Sequence, residues 1–376
     1  MKKRIAIIGA GVAGLTLAGL LSTNSNFEFA IYEKEEALNL DEGYGIQLSS
    51  NSVSILNKIG FGQLNEKEKY YPSKLDFYSI NDNKICDLDL TEFNFENVKY
   101  TTLKRSILIS FLKEKLFSNS LMFRKKINKI EEVNGKINIY FVDGSTDVVD
   151  YLIISDGVFS ETKNIIEKKT FRANYYGAIA IRTQVSPKDI PDLNSDNVSL
   201  IMGTNAHLVL YPINKQKEIN LVCIIRNKSE VNNSTKIILE NTILKENQNL
   251  VNLFNKELKS WPIYISGKPI KSIYKKVLYI GDAFFTFPPT MAQGASQSIE
   301  AANEIFELMN NNNENIQNEY FKKRLERTNL INKRSQFNYF GFHIANPLLK
   351  KLRNFTLKRL VKNKNFIQSY LGKIYK

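Results

Sequence analysis

Three glycines and one acid are the residues of this chain whose types and spacing first suggest chemistry. Gly9, Gly11 and Gly14 form a G-x-G-x-x-G run inside Arg4-Ile-Ala-Ile-Ile-Gly-Ala-Gly-Val-Ala-Gly. Gly9 allows a tight turn, Gly11 lets a pyrophosphate approach the backbone, and Gly14 lets a helix pack closely on a sheet. The helix start then offers free N–H groups and a positive dipole end to the anion. Glu33 follows Gly14 by 19 residues, where a carboxylate can accept the hydroxyls of an adenosine ribose. Together these residues describe a dinucleotide site, with NAD and FAD both open.

The site needs strand, helix and strand to hold it, and the sequence supplies them in order. Ile5 to Ile8 reads as a buried strand, Leu15 to Leu21 as a helix, and Phe27 to Glu33 as a second strand. A helix is expected over Ser52 to Ile59 with Ser50 or Asn51 as its N-cap, and another over Leu103 to Leu116. Asn134-Gly135 and Asp143-Gly144 flank the strand Lys136 to Phe141 and predict an antiparallel meander. Tyr151 to Ser155 is a strand running into Asp156-Gly157.

Residues 171–275 change character. Strand patterns recur at Tyr176 to Val185, Val198 to Met202, His207 to Ile213 and Ile219 to Arg226, with a helix expected over Thr235 to Leu258. The nucleotide pattern returns at Lys276 to Ile280 and leads through Gly281-Asp282 and Pro288-Pro289 to a helix from Ala295 to Met309. Helices Ile316 to Asn332 and Pro347 to near Asn365 end the chain. The expected division is a dinucleotide domain over 1–170 and 276–310, a sheet domain over 171–275 that borrows strands from 71–100, and a helical basic segment over 311–376.

Composition narrows the class. The 376 residues are 43% hydrophobic and 24% charged, as in a globular protein with ample core. The two cysteines, Cys86 and Cys223, and the two histidines, His207 and His343, lack metal-ligand spacing, so neither a zinc site nor a disulfide framework is expected. No apolar run of about 18 residues is present, so no spanning helix is expected. The chain opens on the cofactor strand, which leaves no room for a signal peptide, and the cytoplasm is the expected compartment. The net charge of +14 is concentrated at one end: residues 327–376 hold twelve Lys/Arg and no acid. Leu348, Leu352, Phe355 and Leu360 recur there at helical spacing beside Lys/Arg-rich faces. The commoner reading is a helix packed on the body; the other is peripheral contact with the inner face of an anionic membrane. One basic tail without a reading motif does not predict nucleic-acid binding.

Three further stretches carry a family resemblance: Arg105-Ser-Ile-Leu-Ile-Ser-Phe-Leu, Ser155-Asp-Gly-Val-Phe-Ser, and Gly281-Asp-Ala-Phe-Phe-Thr-Phe-Pro-Pro-Thr-Met-Ala-Gln-Gly. With the glycine run and Glu33 they resemble the motif set of the single-component flavin monooxygenases, which include p-hydroxybenzoate, salicylate and ubiquinone-pathway hydroxylases. Tyr176 to Arg182, Gly203 to Asn220, Tyr320-x3-Arg324-x2-Arg327 and Phe342-His343 to Arg353-Asn354 are similar to the salicylate-hydroxylase-like branch.

The resemblance implies an α/β fold: an FAD-binding Rossmann-like domain of the glutathione-reductase type, an inserted β-sheet substrate domain and C-terminal helices. It implies FAD held by Gly9, Gly11, Ala13, Gly14, Glu33, Lys34, Gly45, Arg105, Asp156, Gly281, Asp282, Pro289, Ala292, Gln293, Gly294 and Ala295. Asp282 would take a ribitol hydroxyl, Arg105 the pyrophosphate, and Gly45 would let the isoalloxazine pass close to the backbone. Backbone N–H groups at 292–294 would face the pyrimidine edge. It further implies NAD(P)H as reductant and O2 as oxidant, giving a flavin C4a-hydroperoxide that hydroxylates an aromatic or apolar molecule. Arg182, His207, Tyr211 and Pro289 are the substrate-side candidates, and no acid or base is assigned. His343 is expected to pack or cap.

The chain departs from the family at Phe284-Phe285, at Ala292 in place of the first glycine of Gly-Gln-Gly, at Ser296 and at Ala301. Phe285, Phe287 and Met291 predict an apolar substrate wall. Two alternatives fit the same scaffold: a flavin reductase or dehydrogenase of a lipid or isoprenoid, and a membrane-surface flavoprotein without turnover.

Overall fold

The computed structural model describes residues 2–40, 44–81, 84–230, 238–239, 242, 247, 250, 252–254 and 258–375. The helix expected over Thr235 to Leu258 lies largely outside the described residues. The fold is α/β. A five-stranded parallel sheet runs in the order Val277–Tyr279, Tyr151–Ile154, Lys3–Ile8, Phe27–Tyr32, Leu121–Met122. Its central strand is buried from Ile5 to Ile8, because parallel strands covered on both faces need apolar residues at every position. Helix α1 (Val12–Leu21) follows at once and is buried along nearly its whole length, sandwiched beneath the sheet.

The meander forms at Ile127–Val133, Lys136–Phe141 and Thr146–Val149. Asn134 and Gly135 both take positive φ, 52° and 71°, as a two-residue hairpin turn with right-handed strand twist requires. A small sheet of Gly45–Leu48, Thr101–Lys104 and Lys69–Tyr70 precedes two helices of the nucleotide half, α2 (Ser50–Asn57) and α3 (Arg105–Glu114). A short α4 (Glu161–Glu167) is N-capped by Ser160, which accepts from Lys163 N at 3.0 Å.

A seven-stranded sheet carries the second half. Its order is Lys259–Ile265, Asn174–Val185, Ile219–Arg226, Ala206–Pro212, Val198–Met202, Lys74–Ser79, Lys84–Asp89. Only the pair 198–202 with 74–79 is parallel. Two long helices close the chain's return: α5 (Gly294–Asn310) packs on α1 and α2, and α6 (Ile316–Phe342) packs on α5. Helix α6 runs ten residues past the expected end at Asn332, since nothing between 333 and 340 is Gly or Pro. The last long helix, α7 (Pro347–Leu360), is N-capped by Asn346, whose Oδ1 accepts from Leu348 N and Leu349 N at 2.9 and 3.1 Å. It ends before the expected Asn365, and a short turn of helix restarts at Lys364–Ile367.

Candidate active site

A cleft of about 610 Å³ opens where the parallel sheet meets the larger one. Thirteen of the sixteen expected cofactor residues line it: Gly9, Gly11, Ala13, Glu33, Lys34, Gly45, Arg105, Asp156, Asp282, Pro289, Ala292, Gly294 and Ala295. Gly14, Gly281 and Gln293 do not. They stand behind the wall, packed closely against their neighbours. A Cβ on Gly14 would lie 2.2 Å from Gly9 O, and one on Gly281, at φ +58°, would lie 2.9 Å from Ala13 Cβ. The Gln293 side chain is buried and donates to Ser49 Oγ at 3.2 Å.

The glycine loop is held by short local bonds. Ser155 Oγ sits 2.8 Å from Ile8 O and 2.9 Å from Gly9 O. Ala10 N donates to Glu33 Oε2 at 2.8 Å, which fixes the carboxylate beside the loop. Gly9 has φ +97°, and a Cβ there would meet Ser155 O at 2.7 Å. At Gly11 the missing side chain faces open space, with no atom within 4 Å of an added Cβ. Gly45 differs: its Cβ position is already filled by Ile213, Tyr211 and Asn220, and its N–H donates to Asn220 Oδ1 at 2.7 Å. Its absent side chain seats the strand Gly45–Leu48 against the larger sheet.

Two carboxyls face the cleft with raised proton affinity. Asp282 is exposed to the cleft, and the protein massed around that cleft lifts its carboxyl to about 6 by desolvation. Burial also raises Asp156, against hydrogen bonds from Ser160 and Thr162, and leaves its Oδ1 buried without a hydrogen-bond partner. The N-terminus of α5 begins at Gly294 in the same wall.

A second cavity, of about 460 Å³ and mainly apolar, lies between the larger sheet and the C-terminal helices. The cleft and the cavity share four residues, Gln47, Val209, Pro289 and Ala292, so they meet there. The substrate-side candidates divide between them. Tyr211 lines the cleft, with its hydroxyl pushed up to about 12 by burial. Arg182 lines the cleft too, its guanidinium 5.6 Å from the Tyr44 ring and 5.9 Å from the Trp261 ring. His207 lines the cavity and is fully buried. Its Nδ1 lies 2.9 Å from His343 Nε2, and its own Nε2 has no hydrogen-bond partner. Burial lowers His207 to about 3 and His343 to about 2, so both rings are neutral at physiological pH. Met291 lines the cavity. Phe285 and Phe287 do not: both are buried beside α5 and α6, outside that wall.

The FAD binding domain family model matches residues 2–325. The chain belongs to this family. FAD is its cofactor, and it is an FAD-dependent oxidoreductase of the monooxygenase kind. Over 318 residues the chain is 25% identical to the 6-hydroxynicotinate 3-monooxygenase of Bordetella bronchiseptica, covering 80% of this chain and 81% of that one. It is 24% identical over 369 residues to the 3-amino-4-hydroxybenzoate 2-monooxygenase PtnB3 of Streptomyces platensis, covering 94% and 92%. In fold it is similar to Klebsiella pneumoniae HpxO, solved with FAD and uric acid, at a TM-score of 0.86 and 17% identity over 99% of this chain and 96% of that chain.

The residues present fit FAD. Gly11 leaves room at the loop, Asp156 Oδ1 is an orphaned buried acceptor, and the starts of α1 and α5 both lie at the cleft. Sequence reasoning missed Gln47, Tyr44 and Trp261, as well as the C-terminal segment that walls the cavity. Gln47 sits on the strand Gly45–Leu48, but its place at the junction depends on Val209, on the central strand of the larger sheet and far away in the chain. Its Oε1 accepts from Tyr100 Oη at 2.7 Å. The family-like Arg324 and Arg327 support α5 from behind, while Tyr320 Oη donates to Tyr279 O at 2.9 Å. Arg324 is buried and reaches Glu300 Oε2 at 3.2 Å, Glu304 Oε1 at 3.1 Å and Gln297 Oε1 at 2.7 Å. Ser296, one of the departures, bonds Ser49 Oγ at 3.0 Å and thereby ties α5 to α2.

Proposed function

We propose that this protein hydroxylates an aromatic or apolar small molecule, using NAD(P)H and O2. The observation that carries the reading is the junction of a dinucleotide cleft with an apolar cavity at Gln47, Val209, Pro289 and Ala292. A substrate in the cavity would meet the cofactor only across that opening.

The chain's own residues would bind, orient and exclude water. Glu33 would hold the adenosine ribose, while Gly9, Gly11 and the start of α1 would take the pyrophosphate with Arg105. Asp282 would accept a hydroxyl of the ribityl chain, and Asp156 would bind at the turn it shares with Gly157. N–H groups at the start of α5 would stabilise negative charge on the pyrimidine edge. The bound flavin supplies electron transfer from NAD(P)H and activation of O2. On the substrate side His207 would offer Nε2, a buried neutral imidazole nitrogen without a hydrogen-bond partner, to a hydroxyl in the cavity. Which role it takes, donor or acceptor, follows from the tautomer that the His343 contact selects. Arg182, held between two rings at the cleft mouth, would meet the reductant or a substrate anion.

The test begins with a spectrum. The purified protein should be yellow or become so with added FAD; a protein that takes up none overturns the reading. Hydroxylated aromatic acids and N-heterocycles of the kinds named for the relatives should then stimulate NAD(P)H oxidation. Incorporation of one labelled oxygen from O2 into product distinguishes hydroxylation from a reductase, which would oxidise NAD(P)H and leave no label.

A further inference from the structure

Helix α7 does not pack in the way amphipathic helices usually do. None of its residues is buried. Leu348, Leu352 and Phe355, spaced i, i+4, i+7 on one face, are 75%, 59% and 53% exposed. Phe337 and Phe340, near the end of α6, are 65% and 61% exposed. With Leu349 these make six of the thirteen exposed large apolar side chains among the described residues, gathered within nineteen positions.

Charge surrounds this apolar strip. Residues 347–364 contain seven Lys/Arg and no acid. Among the described residues only Lys364 of these seven meets a carboxylate, Glu92 at 3.6 Å. Arg359 lies 4.1 Å over the Phe355 ring, so a cation caps the strip itself. Lys351 and Lys358 are exposed beside it. An apolar strip flanked by cations that, Lys364 apart, meet no carboxylate among the described residues matches an anionic lipid surface: the strip enters the acyl boundary while the long basic side chains remain at the headgroups.

The same residues are the rim of the apolar cavity. Phe337, Phe340, Leu349 and Leu352 line it while remaining exposed, so its mouth opens through this face. We propose that the α6 end and α7 dock on an anionic membrane surface and place the cavity mouth against it. An apolar substrate would then enter from the lipid phase; this second statement rests on the hydroxylase reading, whereas the docking does not.

The FAD-loaded full chain is mixed with phosphatidylcholine vesicles and with vesicles that also contain phosphatidylglycerol, then floated. The expected result is flotation with the anionic vesicles alone, lost at high salt. Leu352→Glu with Phe355→Glu, and separately Lys351→Glu with Lys358→Glu, should each reduce the floating fraction at least tenfold. All four positions are exposed, and retained flavin absorbance shows that the variants are folded. Absence of flotation overturns the docking, as does flotation unchanged in both variants. A concentration-dependent dimer that the Leu352/Phe355 variant converts to monomer would also overturn it, assigning the strip to a second copy. FAD content and NAD(P)H oxidation without vesicles report on the hydroxylase reading alone.

Discussion

At the scale of single residues the glycine run separates into two kinds of requirement. A methyl group at Gly11 meets nothing in the protein, whereas one at Gly14 meets Gly9 O at 2.2 Å and Ser155 Oγ at 2.6 Å. Gly11→Ala should therefore keep the stability of the apo-protein and weaken FAD binding tenfold or more, about 1.4 kcal/mol. Gly14→Ala should lose about 1–3 kcal/mol of stability by overpacking, with FAD lost as a consequence. Urea unfolding of the apo-proteins beside flavin-fluorescence titration separates the two; equal loss of stability in both would contradict the geometry. Ala292 illustrates the opposite case. It sits at φ +52°, in the left-handed region that disfavours a Cβ by about 1–2 kcal/mol. Ala292→Gly should stabilise the protein by about 0.5–1 kcal/mol, the relief of strain less the added freedom of the unfolded chain. Denaturant midpoints check this, and a lower midpoint would show that the alanine methyl contributes packing at the junction of the two cavities.

At the scale of elements, α5 must present its first turn to the cleft, and the chain anchors it by a buried charge network. Glu300 is reached by Arg324 at 3.2 Å and by Arg327 at 2.6 Å, and Asn51 also donates to it. Arg324→Ala would leave Glu300 and Glu304 short of a buried cation. The expected loss is about 3–5 kcal/mol, measured by chemical denaturation. Arg324→Lys should recover only part of it, since one ammonium cannot span Glu300, Glu304 and Gln297 together. These partners explain which elements were legible in sequence. The strand Ile5–Ile8, helix α1 and the Glu33 strand are specified by neighbours in the chain: an apolar run, a glycine turn, a helical period. The end of α6 and the packing of α7 are not. Their positions depend on Thr204 and His207 of the larger sheet, reached by Lys350 at 2.9 Å and His343 at 2.9 Å across more than 130 residues. The same limit explains Phe285 and Phe287. Apolar residues beside Pro288 serve a substrate wall or the protein core equally well in sequence, and α6 turned them into core.

At the scale of the whole molecule, the C-terminal helices are joined to the larger sheet through the two histidines of the chain. His207 stands on the strand Ala206–Pro212 and His343 caps the end of α6, so the pair is a seam beside the apolar cavity. Both rings are forced neutral, His207 by burial and His343 by burial together with His207 and Arg226. The sign of the pH effect follows. Below about 6.5, the ordinary imidazole value, the unfolded chain binds protons that the folded chain does not, so stability falls as pH falls. Each ring contributes up to about 1.4 kcal/mol per pH unit in that range. Asp282 has the opposite sign: its carboxyl, raised from 3.8 to about 6, makes the apo-protein relatively more stable toward acid. A paired variant isolates the seam. His207→Leu with His343→Phe should flatten the stability–pH slope below 6.5 relative to wild type, because Asp282 acts equally in both proteins. Urea unfolding across the acid range measures the difference. Parallel slopes in the two proteins would mean that the folded chain protonates its histidines as readily as the unfolded chain does.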